Sequence, residues 1–205
     1  MTQREVIIEN AMRMFVTHGV KAVRMDDIAR ELSVSKRTLY ELFGDKEELL
    51  YQSVKLYTEQ LHYQRQQLMR SAENELEMMI ICLRDMINVA PVSSRMRRNI
   101  KRFYPEVYVR LETEFTSLMR ESISRWVNVC VQKGYFTTTA ECDLIINILY
   151  GSSQGLLTSE LFESRQPTEV ISMLSYSLVV FIRGLCTPKG IEIIDKSFSK
   201  YLGNI

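Results

Sequence analysis

Cations sit at two helix starts in the first fifty residues. With Ser35 as an N-cap, Lys36 and Arg37 take the first two positions of a helix. Asp45 and Glu48 have the spacing of a capping box, which puts Lys46 at the first position of the next helix. A helix N-terminus is already partly positive, so a cation there is unfavourable by roughly 0.3–1 kcal/mol. Breaking that rule at both starts predicts an anion arriving from outside, and a phosphate suits such donors. Thr38 and Tyr40 add hydroxyls to the same short helix. The competing reading is a solvated surface, with Asp45, Glu47 and Glu48 offsetting Lys46.

The elements that must position these side chains lie between Asp26 and Glu48. Ile28, Ala29 and Leu32 form one apolar helix face. Ser33-Val34-Ser35 interrupts it with turn-forming residues. Leu39, Leu42 and Phe43 give a second helix its buried face. Two short helices joined by three or four residues make a helix-turn-helix, whose second helix enters a DNA major groove with its first residues toward the bases. Lys36, Arg37, Thr38 and Tyr40 are the groove-facing candidates, while Leu39 and Phe43 point into the core; Tyr40, one step beyond Leu39, either leans on the core edge or offers its hydroxyl to a phosphate. Upstream, residues 3–18 read as an amphipathic helix through Ile7, Ala11, Met14 and Phe15, ended by Gly19, which closes a three-helix head.

Met25-Asp26-Asp27-Ile28-Ala29, Val34-Ser35-Lys36-Arg37-Thr38-Leu39-Tyr40, Phe43 and Lys46-Glu47-Glu48-Leu49 together resemble the N-terminal signature of TetR-type transcriptional regulators. The resemblance covers roughly residues 1–50. It implies an all-α chain of about nine helices, with a helix-turn-helix DNA-binding domain over 1–48 and a ligand-binding and dimerisation domain over 49–205. It also implies DNA contacts for Thr38, Tyr40 and Lys46. The sequence departs from that pattern twice. Ser33 stands where glycine is usual, so it must take a left-handed backbone at some cost or bend differently. Arg24 stands where Ser or Thr usually caps the first motif helix; an arginine there still reaches phosphate.

Composition narrows the function classes. The chain has 205 residues, 46% hydrophobic and 25% charged, enough for a sizeable core. Net charge is +1, and through Leu50 eight basic residues face nine acids, so DNA contact rests on where the cations sit. The N-terminus has no apolar signal core, and no run approaches the roughly 18 apolar residues of a membrane span. Cys82, Cys130, Cys142 and Cys186 are scattered without metal-like spacing, which suits reduced core residues of a cytoplasmic protein. The two histidines, His18 and His62, stand in no catalytic constellation. No cofactor, metal, membrane or enzymatic activity is expected.

Beyond the head, a long helix is predicted from Lys46 toward Arg70 and another over 71–90, broken at Pro91 and Val92-Ser93-Ser94. Arg95, Arg97, Arg98, Lys101 and Arg102 follow as the most basic cluster of the chain. It reads as a solvated face, a supplementary phosphate patch or, as the resemblance implies, a short helix that touches the head and relays ligand binding. A helix over 105–133 comes next. Met78, Met86, Phe103, Tyr108, Phe115 and Trp126 are candidates to line an apolar pocket, or else belong to the core. In residues 140–163, Leu144, Ile148, Gly151 and Gly155 share a face. In 169–186, Leu174, Leu178, Phe181, Ile182 and Leu185 make an apolar stripe. These two faces are expected to pair with their copies in a four-helix homodimer core, unless they serve the monomer's own core.

The leading expectation is a dimeric regulator of double-stranded operator DNA. It is expected to be a repressor, released by an unidentified apolar or amphipathic small molecule. The competitors are a helical protein-interaction module, which predicts no salt-dependent DNA affinity, and a DNA-binding regulator without a ligand.

Overall fold

A computed structural model of the chain describes residues 2–137, 143–148, 151 and 165–203. Eight helices are labelled here: α1 Gln3–His18, α2 Met25–Glu31, α3 Lys36–Phe43, α4 Lys46–Met69, α5 Glu75–Phe103, α6 Pro105–Gln132, α7 Pro167–Leu185 and α8 Pro188–Tyr201. Residues 143–148 are also helical. The chain is all-α, as expected, and carries an N-terminal helix-turn-helix head. It divides into two compact units, 1–64 with 92–115 and 65–91 with 116–205. The first unit thus extends the expected head through the start of α4, the end of α5 and the start of α6.

The first unit starts from a capping box. The Thr2 hydroxyl accepts from Glu5 N–H and the Glu5 carboxylate accepts from Thr2 N–H. Gly19 ends α1 at φ 87°, a conformation that favours glycine, with its N–H on Phe15 O. Ile7, Ala11, Phe15, Ile28, Leu39 and Leu49 are buried together in one core. Each of the larger side chains among them contributes about 1.5–3 kcal/mol by leaving water. Met96 and Ile100 of α5 and Val107 and Leu111 of α6 belong to the same core. Short helices such as α2 and α3 hold because this packing replaces the stability that isolated helices of their length lack.

The second unit packs Leu76, Ile80, Leu83 and Ile87 of α5 with Val127 and Cys130 of α6, Phe136, and the apolar side of α7. Gly134, at φ 70°, turns the chain out of α6. Thr137 N–H then donates to Leu185 O at 3.0 Å and Thr187 N–H to Tyr135 O at 2.9 Å. Thr187 also caps α8, accepting from Gly190 N–H. Glu77 is buried and accepts from Glu73 N–H, Lys200 Nζ and Tyr201 OH.

Two expectations need correction. The break at Pro91–Ser94 is absent, and α5 runs unbroken through Pro91. Pro91 is exposed on this helix, where its missing N–H and its ring are better tolerated, and it falls where the chain passes from one unit to the other. The stripe Leu174, Leu178 and Ile182 is buried in the second unit's own core, with Phe181 and Leu185 packed against it. A helix face with that much apolar area is covered first by its own chain. The large apolar side chains that α7 leaves outward are Met173 and Val180, the latter 72% exposed. Leu144, Ile148 and Gly151 are exposed too, while Gly155 lies outside the described residues.

α7 is the one described helix long and apolar enough to cross a membrane by length and composition. Its buried Val170, Ile171, Leu174, Val179 and Ile182 make it a core helix. Cys130 and Cys186 are free and buried, and burial pushes their thiols up to about 12 and about 11. Burial raises Cys82 as well, and Cys142 lies outside the described residues.

Candidate nucleic-acid interface

The turn between α2 and α3 carries the mark of its missing glycine. Ser33 adopts φ 52°, so of the two alternatives it takes the left-handed backbone rather than a different bend. Val34 N–H donates to Ala29 O at 3.0 Å, which closes the end of α2. Ser35 then caps α3: its hydroxyl accepts from Thr38 N–H at 3.0 Å and lies 2.8 Å from the Thr38 hydroxyl. Leu39 and Phe43 are buried, so the opposite side of α3 turns outward with Lys36, Arg37 and Tyr40. Tyr40 is 44% exposed, a high value for a tyrosine beside a core residue.

The cations at the start of α3 have carboxylate partners within the first unit. Lys36 Nζ lies 2.8 Å from Asp26 Oδ1, and Arg37 Nε lies 2.7 Å from Glu41 Oε1. The hydrogen bond to Asp26 raises the Lys36 pKa. Asp26 and Glu41 therefore offset charge placed against the helix dipole. Both pairs are exposed, so a phosphate can exchange for the carboxylates. The Arg37–Glu41 pair was legible as an i, i+4 spacing. Nothing local in sequence signals the Lys36–Asp26 pair, which spans the turn.

Arg24 is the N-cap residue of α2 and makes no side-chain cap. Its backbone N–H donates to Asp27 Oδ2 at 2.9 Å, so half of a capping box survives without Ser or Thr. The Arg24 side chain is exposed and forms no ion pair among the described residues. At α4, Asp45 accepts from Glu48 N–H at 2.8 Å. The other half of the expected box is replaced: the Glu48 carboxylate takes Gln52 and Arg110 instead. Lys46, at the first position of α4, donates to Val20 O at 2.7 Å and sits 5.1 Å from the Tyr104 ring centroid. Two of its three donors stay available.

Behind this face α4 is braced to α6. Tyr51 OH donates to Glu114 at 2.5 Å, Lys55 pairs with the same carboxylate, and Arg110 lies 3.5 Å from the Tyr51 ring centroid while holding Glu48. Hydrogen bonds from Lys55 and Tyr51 lower the Glu114 pKa. The basic cluster is not one solvated face. Arg95 donates to Val16 O at 2.7 Å, at the C-terminal end of α1, and Arg97 donates to Glu112 at 2.8 Å and to Tyr108 OH at 3.2 Å.

The six pocket candidates divide between the two units. Phe103, Tyr108 and Phe115 belong to the first unit, and Met78, Met86 and Trp126 to the second. Trp126 donates to Glu75 O and stacks edge-on with Phe136, as a core tryptophan does. A cavity of about 210 Å³ does exist beside the end of α1, lined by Val16, His18, Val92, Arg95 and Asn99 among others, and none of the six reaches it.

Residues 7–52 match the family described as bacterial regulatory proteins, tetR family. The whole chain is similar in fold to a TetR-family transcriptional regulator from Pectobacterium atrosepticum, with TM-score 0.71 and 21% identity over 90% of this chain and 94% of that one. It is also similar to a TetR-family transcriptional regulator from Cytophaga hutchinsonii, with TM-score 0.72 and 14% identity over 90% and 94%. RolR in complex with resorcinol is a third, with TM-score 0.64 and 16% identity over 95% and 92%. No curated protein gives a significant match.

Proposed function

We propose that this chain, a TetR-family regulator by its N-terminal head and with the fold of such regulators throughout, is a dimeric repressor released from its operator by a small molecule. The DNA-binding head is residues 1–48, and the body is 49–205. The observation that carries the reading is the outward side of α3. Its N-terminus is capped by Ser35, its buried side is fixed by Leu39 and Phe43, and Lys36, Arg37, Thr38 and Tyr40 stand on the remaining surface. Arg24 and Lys46 serve phosphates on either side of the groove.

A dimer supplies two heads for two half-sites, about one DNA turn apart. Its surface draws on the exposed apolar residues Met173 and Val180 of α7 together with Leu144, Ile148 and Gly151, all of them exposed in the protomer. The effector is an apolar or amphipathic molecule bound in the body. It releases DNA only if it prefers the head spacing that fits DNA poorly. RolR holds resorcinol on the same fold, which supports a ligand of that general kind. The working place is the cytoplasm, with the DNA.

The test is fluorescence-anisotropy binding to a fragment from upstream of the protein's own gene, with salt titrated, followed by selection from random DNA. Tight, salt-sensitive binding weakened by Tyr40→Phe is the expected result. A selection that enriches no sequence overturns the reading and leaves a protein-interaction module.

A further inference from the structure

We infer that Lys21 and the end of α5 form a second phosphate-binding surface, which grips the DNA backbone outside the groove that takes α3. This inference rests on the DNA-binding reading above. It starts from an imbalance of charge within the first unit. Lys36, Arg37, Lys55, Arg97 and Arg110 each lie within ion-pair distance of a carboxylate. Lys21, Arg98, Lys101 and Arg102 do not: among the described residues no acid lies within 4.0 Å of any of them. All four are exposed.

They are also gathered. Arg98, Lys101 and Arg102 have i, i+3, i+4 spacing on α5 and so share one face. Lys21, from the segment joining α1 and α2, places its Nζ 4.7 Å from the Phe103 ring centroid, and the Arg102 guanidinium lies 5.2 Å from the same centroid. One ring therefore collects cations from two segments far apart in sequence, in a chain whose net charge is only +1. Like charges brought together without acids repel, and an external polyanion relieves that repulsion.

Position identifies the anion as DNA phosphate. Lys21 follows Val20, whose carbonyl holds Lys46 Nζ at 2.7 Å. Tyr104, whose ring lies 5.1 Å from that Nζ, follows Phe103. The patch is thus continuous with the start of α4 and with the segment leading to Arg24, the two places proposed to touch the backbone beside the groove. Counterion release by these unpaired cations then supplies more of the salt-dependent affinity than Lys36 and Arg37, which must first leave Asp26 and Glu41.

The experiment compares wild type with the triple variant Lys21→Gln, Lys101→Gln, Arg102→Gln. Among the described residues these exposed sites hold no hydrogen bond, and a melting curve confirms the fold. Two duplexes carry a site selected from random DNA. One is trimmed to the site, and the other is extended by about one helical turn at each end. The expected result is that wild type prefers the long duplex and the variant binds it 10- to 100-fold more weakly. The plot of log K against log salt should lose roughly 2–3 from its slope per protomer, near 0.9 for each phosphate contact removed. Equal loss on both duplexes, or an unchanged slope in a variant that binds as well as wild type, overturns the inference; the latter leaves the patch to an acidic protein partner. Wild type that binds no DNA sinks the underlying function instead.

Discussion

Lys46 Nζ donates to the carbonyl of Val20 at 2.7 Å, so a residue expected to meet phosphate also fastens the segment between α1 and α2. Tyr104 OH lies 3.5 Å from the same oxygen, too far to replace a charged donor. Lys46→Met removes that bond and should cost about 1–2 kcal/mol of stability, read by urea unfolding. It should also lower the salt slope of DNA binding by roughly 0.9 per protomer. A variant as stable as wild type would show that the Val20 bond contributes nothing.

Ser33 offers a gain. A left-handed backbone costs a non-glycine residue roughly 1–2 kcal/mol, against about 0.5–1 kcal/mol for the extra chain freedom glycine loses on folding. At φ 52° the first term wins. Ser33→Gly should therefore raise stability by roughly 0.5–1 kcal/mol and leave DNA affinity unchanged or tighter. Ser33→Val should lower it, because a β-branched residue suits that backbone worst. Melting temperatures in the opposite order would show that the Ser33 side chain has a role of its own.

Ser35→Ala tests the cap. The Ser35 hydroxyl accepts from Thr38 N–H, which lies in the first turn of α3 and has no carbonyl of the helix to donate to. Its loss should cost about 1 kcal/mol and fray the first turn of α3. That turn carries Lys36 and Arg37, so DNA affinity should fall further than stability alone explains. Amide exchange at Thr38 is the direct readout, and protection equal to wild type would refute the mechanism.

How much was legible in sequence depended on how local the determining interaction is. The Gly19 end of α1, the Ser35 cap and the long α6 rest on contacts within four or five residues, and the sequence signalled each. Pro91 was misleading, because a proline's effect on a helix depends on where the helix is exposed. Lys36–Asp26, Lys46–Val20 and Lys21–Phe103 are tertiary pairings with no local signature. The basic run over 95–102 was visible as composition, but its division into Arg97, paired with Glu112 of α6, Arg95, bound to the Val16 carbonyl of α1, and Arg98, Lys101 and Arg102, with no acid in reach among the described residues, is set by what the neighbouring helices supply.

Glu77 should set the acid limit of the second unit. Burial alone would raise its pKa, but hydrogen bonds from Glu73 N–H, Lys200 and Tyr201 outweigh that and hold it at about 2, against 4.5 for a free side chain. A group with a depressed folded pKa contributes fully above its unfolded value and loses that contribution as pH falls toward the folded one. Stability should thus decline between about pH 4.5 and pH 2. Glu77→Gln should be less stable at pH 7 and should flatten that decline. Parallel pH profiles for the two proteins would contradict it.

Val180 and Leu178 are two residues apart on α7 and should behave in opposite ways. Val180 is 72% exposed, and Leu178 is 8% exposed within the second unit's core. If the outward face of α7 pairs two copies, Val180→Glu leaves the protomer folded and buries an unpaired carboxylate in the interface. Sedimentation should then show a dimer dissociating at least tenfold more readily, with a matching loss on DNA carrying two half-sites. Leu178→Ala should instead cost about 2–5 kcal/mol of unfolding stability, the range for truncating a buried leucine. A Val180→Glu protein that stays as tightly dimeric as wild type would move the interface elsewhere, and dissociation by Leu178→Ala without loss of stability would return it to the stripe first read from the sequence.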